Sequence, residues 1–235
     1  MDGRKRDFIE FMCASGVLTF GDFTTKSGRP TPYFINTGKY TSGSEMRTLG
    51  DTYARTVVDQ FGDGFDVLFG PAYKGIPLVV ATAVALLEHH GRDVPFCFNR
   101  KEAKDHGEGG VLVGHAPRNG ERVLILEDVT TAGTSIRETV PILEQAADIE
   151  VVGLVVSVDR MERGPGGEVS ALAELSQEFG FQTAPIVSID EIVEALGPGS
   201  PSRFALAESD LARIADYRSR FGAGPVPTPE AAEGP

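Results

Sequence analysis

The most informative part of this chain of 235 residues is the stretch Val123-Leu-Ile-Leu-Glu127-Asp128-Val-Thr-Thr-Ala-Gly133-Thr-Ser135. Its four apolar residues predict a buried strand that ends in two acids, and small or hydroxyl-bearing residues then lead into a predicted helix over 136–147. Amide groups at a helix N-terminus bind phosphate, and carboxylates accept hydrogen bonds from ribose hydroxyls. The stretch therefore favours a sugar phosphate site, and the alternative is an ordinary helix cap at Asp128 or Thr130.

Strands and helices alternate on both sides of this stretch. The predicted strands are almost uniformly apolar, as strands are when helices cover both faces of a parallel sheet. The pattern predicts an α/β fold, with a mostly parallel central sheet flanked by helices, in a single domain over 1–221. The strands are predicted at 66–69, 94–99, 123–126, 151–158 and 186–189, and the helices at 4–13, 46–61, 76–91, 136–147, 190–196 and 206–221.

Three segments depart from this alternation. Residues 19–41 form short alternating pieces around a Gly/Pro-rich turn, which predicts a hairpin-like excursion. Residues 100–119 are polar and glycine-rich and are too long for an ordinary connection, so they predict a flexible loop. The last stretch, 222–235, consists mostly of Gly, Pro, Ala and Glu and is predicted to be disordered.

Composition restricts the class of partner and the compartment. With 34 acidic and 22 basic residues, the chain has a net charge of −12, which disfavours nucleic acid and anionic membranes as partners. Cys13 and Cys97 form no C-x-x-C motif, and this favours a reducing, cytoplasmic compartment. The N-terminus lacks the apolar stretch of a signal peptide, and the longest apolar run, 76–87, is too short to span a bilayer.

A basic cluster stands out in this acidic chain. Arg100, Lys101 and Lys104 fall within five positions, and His106 and several glycines follow. Such a run is often only a solvated face. It also suits a pyrophosphate leaving group, whose developing negative charge Arg and Lys can stabilise once water is excluded.

Five blocks of the sequence, taken together, resemble the orotate phosphoribosyltransferase family, and they occur in the family's order. The stretch 123–135 is similar to the signature with which type I phosphoribosyltransferases bind 5-phosphoribosyl 1-diphosphate (PRPP). The other blocks are 23–34, 69–77, 99–110 and 157–164, and the resemblance covers roughly Phe8 to Phe221. Glu127 stands where some relatives have aspartate, and Ile35 occupies a position that is often aromatic.

The resemblance implies the type I phosphoribosyltransferase fold, with 19–41 as a small hood and 100–119 as the flexible catalytic loop. It implies transfer of the phosphoribosyl group from PRPP to orotate. Mg²⁺ is expected to be held mainly through PRPP, with no direct protein ligand. A homodimer is also implied, in which the loop contributes to the neighbouring active site.

The same resemblance assigns roles to individual residues. Those implied in catalysis are Lys74, Lys104, His106 and Asp128. Those implied in binding PRPP are Lys26, Tyr73, Lys74, Arg100, Lys101, Lys104, His106, Glu127, Asp128, Val129, Thr130, Thr131, Ala132, Gly133, Thr134 and Ser135. Those implied in binding orotate are Lys26, Thr131, Arg160 and the backbone at Phe34 and Ile35. For Arg160 the alternative is a structural ion pair with Asp159.

Two other functions are weighed against this one. A phosphoribosyltransferase for a purine would share the PRPP stretch but not Lys26 in the hood or the pair Lys104 and His106. A regulator that binds PRPP without catalysis would need a basic DNA-binding segment, and this acidic chain shows none.

Overall fold

The structure is a computed structural model that describes residues 1–25, 28–104, 110–130, 132–167 and 169–223, without the side chains of residues 103, 104 and 110. Within those ranges, the chain forms seven α-helices, one short 3-10 helix at Thr37–Lys39 and eight strands. The helices are α1 Gly3–Ala14, α2 Gly43–Phe61, α3 Gly75–His90, α4 Thr134–Ala146, α5 Ala171–Phe179, α6 Ile189–Leu196 and α7 Glu208–Phe221. The strands are β1 Leu18–Thr24, β2 Pro30–Ile35, β3 Val67–Gly70, β4 Phe96–Lys104, β5 Gly110–Gly114, β6 Arg122–Glu127, β7 Glu150–Asp159 and β8 Gln182–Ser188.

In the described part of the chain, six strands form one central sheet in the order β5-β4-β3-β6-β7-β8. All neighbours are parallel except β4 and β5. The central strands are apolar because both faces are covered: Leu124 and Leu126 of β6 face one buried cluster, and Val123 and Ile125 face the other. The predicted fold class, a mostly parallel sheet between helices, is confirmed.

The start of α2 shows why pattern alone misplaces a helix boundary. The apolar spacing predicts a start at Met46, but the helix begins at Gly43. Ser42 and Glu45 form a capping box, in which the Glu45 amide donates to Ser42 Oγ at 3.3 Å and the Ser42 amide donates to the Glu45 carboxylate at 2.9 Å. These bonds satisfy amide groups that the first turn would otherwise leave open.

The prediction that all of 100–119 is a loop is wrong, because strands occupy two parts of this segment. β4 continues to Lys104, and β5 returns antiparallel to it, with Asn99 beside Leu112 and Cys97 beside Gly114. A strand ladder needs only backbone groups, so polar side chains do not prevent it. The tip of this hairpin, residues 105–109, lies outside the described residues.

The predicted hairpin at the N-terminus is present: β1 and β2 pair antiparallel and form the hood. The C-terminal helix α7 packs against it, with the ring of Tyr217 edge-on to that of Tyr33 at 5.8 Å between centroids. The first two residues of the predicted disordered tail are ordered, since Gly222 pairs with Glu162 and the Ala223 amide donates to the Met161 carbonyl at 2.7 Å. Residues 224–235 lie outside the described residues.

The sequence pattern missed α5 and placed the start of β8 four residues late, at Ile186. β8 carries Pro185, which the sheet tolerates because β8 is an edge strand. None of the helices in the described ranges is long and apolar enough to cross a membrane.

Candidate active site

Three parallel strands bring the predicted site residues to one edge of the sheet. β3, β6 and β7 are neighbours, and they end at Gly70, Glu127 and Asp159. The loops that follow them therefore meet at the carboxyl edge, which is where open α/β sheets bind ligands. The end of the hood, at Thr37, reaches the same place.

Glu127 is held against the start of α4. Its Oε1 accepts the Asp128 amide at 3.0 Å, and its Oε2 accepts the Ser135 hydroxyl at 3.0 Å. The Glu127 carbonyl accepts the buried Tyr53 hydroxyl at 2.8 Å. The longer acid at this position therefore spans the whole turn between the strand and the helix.

Asp128 connects three loops. Its Oδ2 accepts the Lys74 ammonium at 2.8 Å and the Thr37 hydroxyl at 2.6 Å. Its carbonyl accepts the Ser157 amide at 2.9 Å and the Ser157 hydroxyl at 2.5 Å. The acid is thus fixed in position by the hood, by the loop after β3 and by the end of β7.

The pKa values of the two acids are shifted in opposite directions. Burial raises the pKa of Glu127 to about 8, and the negative charge of Asp128 acts in the same direction. Burial alone would also raise the pKa of Asp128, but hydrogen bonds from Glu127, Lys74 and Thr37 outweigh it and lower that pKa below its ordinary value. Glu127 therefore takes up a proton more readily than an ordinary carboxyl group, whereas Asp128 keeps its negative charge to lower pH than an ordinary one.

The start of α4 is open to a ligand. Gly133 precedes the helix in a left-handed conformation with φ of 72°, and a Cβ there would lie 2.9 Å from Leu175 Cδ2. The Thr130 hydroxyl accepts the Gly133 amide at 3.0 Å and so shapes the turn. Among the described residues no side chain caps the helix, so its first-turn amides can bind an anion.

The remaining residues of this stretch line the same turn. Thr134 and Ala132 are exposed, Ser135 and Val129 are half-buried, and Thr130 is buried. Thr131, which was predicted to bind both PRPP and orotate, lies outside the described residues.

Basic residues flank the helix start in a cleft of about 230 Å³. The cleft brings Arg100 and Lys101 of β4 together with Ser135 of α4. Lys101 Nζ lies 5.9 Å from the ring centroid of the exposed Tyr73, and the Asn99 side chain accepts the Ala72 amide at 2.8 Å. Lys74 lines a separate cavity of about 390 Å³ with Asp128 and Thr37. Lys104, predicted to bind PRPP and to act in catalysis, is the last residue of β4, but its side chain and all of His106 lie outside the described residues.

Arg160 is buried and its partner differs from the alternative weighed above. Its Nε and Nη2 donate to Oε1 of Glu162 at 3.0 and 2.6 Å. Asp159 instead accepts the Met161 amide at 2.7 Å, so the alternative of a structural ion pair between Arg160 and Asp159 is wrong. The guanidinium carbon of Arg160 lies 4.6 Å from the ring centroid of Tyr33 in the hood.

The hood residues predicted to bind the base lie on β2. Phe34 is partly exposed and stacks on Phe23 with 5.5 Å between ring centroids. Ile35 is half-buried and pairs with Leu18 of β1. Lys26, predicted to contact both substrates, lies outside the described residues.

The structure adds residues to the site to which the sequence assigned no role. Thr37, Tyr53 and Ser157 fix the acid pair, and Glu162 holds Arg160. Ser157 and Glu162 lie within the block 157–164 that also contains Arg160, so their position in the sequence could have predicted them as site residues. No local pattern predicts a role for Thr37, because its partner Asp128 is 91 residues away.

An acid-tipped strand leads into a helix start that no described side chain caps, with basic residues beside it, and this arrangement is typical of a phosphoribosyltransferase. In agreement with this, the family model described as phosphoribosyl transferase domain matches residues 36–170. That match covers more than half of the chain and includes both acids and the loop after β3.

Comparison with similar proteins shows to which family of phosphoribosyltransferases the chain belongs. The chain is 53% identical over 224 residues to the orotate phosphoribosyltransferase of Clostridium beijerinckii, covering 95% of this chain and 100% of the relative. It is 58% identical over 196 residues to the same enzyme of Lachnoclostridium phytofermentans, covering 83% and 87%. The crystal structure of the enzyme from Francisella tularensis superposes with a TM-score of 0.79 at 36% identity, over 92% of this chain and 100% of that one. The chain belongs to the orotate phosphoribosyltransferase family, as its sequence blocks predict.

Proposed function

We propose that this chain transfers the phosphoribosyl group of PRPP to N1 of orotate. The bond between the anomeric carbon and the diphosphate oxygen breaks, the carbon–nitrogen bond forms, and N1 gives up its proton. The products are orotidine 5′-monophosphate and pyrophosphate, a step of pyrimidine synthesis. The observation that carries the proposal is the acid pair Glu127 and Asp128 on the turn that leads into α4, whose first turn no side chain caps in the described part of the chain.

Binding of the sugar phosphate follows from this turn. The first-turn amides of α4 and the hydroxyls of Thr130, Thr134 and Ser135 would hold the 5′-phosphate. The carboxylates of Glu127 and Asp128 would accept the ribose hydroxyls. Since Asp128 is ionised, its charge also favours the positive charge that develops on the ribose in an oxocarbenium-like transition state.

Release of the diphosphate depends on the basic residues beside the turn. Arg100 and Lys101 share a cleft with Ser135, and Lys74 reaches Asp128 from the loop after β3. Lys104 and His106 are proposed to join them from the hairpin that β4 and β5 form. This arrangement needs no protein nucleophile, because positioning and charge stabilisation suffice for the displacement.

Mg²⁺ is proposed as the cofactor, held mainly by oxygens of PRPP. The donor set at the site fits a hard cation, since Glu127 and Asp128 present carboxylate oxygens and lie where the ribose is proposed to bind. When bound, Mg²⁺ would supply neutralisation of the diphosphate charge.

Orotate is proposed to bind between the hood and the end of β7. Arg160 offers a planar guanidinium that suits a carboxylate or imide edge. Lys26, Thr131 and the backbone of Phe34 and Ile35 are proposed to complete this site.

A homodimer is also proposed, in the cytoplasm. Val80, Val84 and Leu87 of α3 recur at helical spacing and remain 37%, 50% and 51% exposed. Such an apolar stripe favours burial against another surface, and α3 begins directly after the site residue Lys74. We propose that a second copy covers this face and that the hairpin of β4 and β5 acts on the neighbouring site. The two free cysteines, Cys13 and Cys97, agree with a reducing compartment.

The activity is tested by mixing the protein with orotate, PRPP and Mg²⁺ and following the ultraviolet absorbance of orotate. We expect consumption of orotate with release of one pyrophosphate per orotate. Adenine and uracil serve as control bases. Turnover of adenine without turnover of orotate would contradict the assignment.

A further inference from the structure

Glu162 is a buried carboxylate that no step of the proposed reaction involves. Its side chain is 4% exposed. Its Oε1 accepts Arg160 Nε at 3.0 Å and Nη2 at 2.6 Å, and it also accepts the hydroxyls of Tyr33 at 3.2 Å and Tyr217 at 2.9 Å. Its Oε2 lies 3.5 Å from Nη1 of Arg29. A buried charge with this many donors is fixed in one orientation.

The charge of Arg160 requires such a partner. A buried guanidinium is costly unless it is paired and hydrogen-bonded. Glu162 pairs with the edge of the guanidinium formed by Nε and Nη2, whereas Nη1 has no acceptor among the described residues. Glu162 thus neutralises Arg160 and leaves one nitrogen available for a substrate.

The donors to Oε1 of Glu162 come from three separate elements. Tyr33 lies on β2 of the hood, Tyr217 lies on the C-terminal helix α7, and Arg160 follows β7. The ring of Tyr33 also lies against the guanidinium of Arg160. One carboxylate oxygen therefore links the hood and the C-terminal helix to the arginine at the end of β7.

We infer that Glu162 is a positioning residue that orients Arg160 toward the base. The inference rests on the proposed function, in which Arg160 binds orotate. Glu162 acts through Arg160 and does not touch the substrate. The network serves recognition of the base and leaves the PRPP turn, built around Asp128, unaffected.

The first test is Glu162→Gln, which preserves size and one acceptor but removes the charge. Without its charged partner the Arg160 guanidinium loses its fixed orientation, so the KM for orotate should rise about tenfold or more. The KM for PRPP should stay within about twofold. Equal changes in both KM values would show a general structural role and overturn the inference, as would no change in either.

The second test asks whether Glu162 acts through Arg160. In a double-mutant cycle with Arg160→Lys, Glu162→Gln should add little to the KM for orotate, because the group it positions is already altered. Additive effects would overturn the inference.

Tyr33→Phe and Tyr217→Phe extend the test if Glu162→Gln does not fold, since each removes one donor and leaves the ion pair intact. Each should raise the KM for orotate severalfold and not that for PRPP, and no change in either variant would overturn the inference. The wild-type protein separates the two proposals: without orotate turnover the proposed function fails, whereas an active wild type with unaffected variants refutes only the role of Glu162.

Discussion

Replacement of Asp128 by Asn tests whether this residue binds the ribose hydroxyls of PRPP. The substitution keeps the shape of the side chain and removes its charge. Asn can still accept the Thr37 hydroxyl, and the loss of the Lys74 pair costs little because Lys74 is 53% exposed and screened by solvent. We therefore expect the free energy of unfolding to change by less than about 1 kcal/mol.

The effect on catalysis should be much larger than the effect on folding. In the proposed complex the ionised Asp128 accepts the ribose hydroxyls, and each hydrogen bond to a charged acceptor contributes about 1.5 kcal/mol or more. Two such bonds give about 3 kcal/mol, which corresponds to a loss of about 100-fold in kcat/KM for PRPP. Loss of favourable charge in the transition state adds to this.

The assay is the initial rate of orotate consumption at varied PRPP, together with thermal unfolding of both proteins. Asp63→Asn is the matched control, because that carboxylate is fully exposed and lies outside the site. The proposed role of Asp128 in binding the ribose would be excluded if Asp128→Asn kept kcat and the KM for PRPP within twofold of the wild type while the protein remained folded.

Three further predictions concern charge at the site. Because the pKa of Glu127 is raised to about 8 in the folded protein, its contribution to stability is fully present below about pH 4.5 and is lost as the pH rises through 8. Thermal unfolding should therefore show Glu127→Gln gaining stability relative to the wild type between pH 5 and pH 8, and a constant difference would contradict the raised pKa. Lys104→Ala should lower kcat by about 100-fold or more, since it removes charge from the proposed diphosphate site. The unfolding temperature measured by calorimetry should stay within about 2 °C of the wild type. Lys39→Ala is the control, and a near-normal kcat of Lys104→Ala would exclude a role of Lys104 in diphosphate release. Excess EDTA should abolish turnover and added Mg²⁺ should restore it, whereas full activity in the chelator would remove Mg²⁺ from the mechanism.

Much of the fold could be predicted because it follows from local physics. The strands β3, β6 and β7 are apolar on both faces and need no tertiary information to be found. The position of the acid pair followed in the same way, since two acids at the end of a buried strand must lie at the edge of the sheet.

The parts that the sequence did not predict depend on backbone pairing or on distant partners. β5 forms because its backbone pairs with β4, although the side chains at the end of β4 are polar. α5 has only nine residues, and its start depends on Ser170 Oγ, which accepts the Ala173 amide at 3.2 Å. Glu162 and Tyr33 are 129 residues apart, so no local pattern could connect them.

A crystal structure of the protein with PRPP and Mg²⁺ would show where the sugar phosphate binds. We expect the 5′-phosphate at the first turn of α4, within hydrogen-bond distance of Thr134 and Ser135, and the ribose hydroxyls on the carboxyl groups of Glu127 and Asp128. Electron density for PRPP at another place on the protein, with this turn empty, would contradict it.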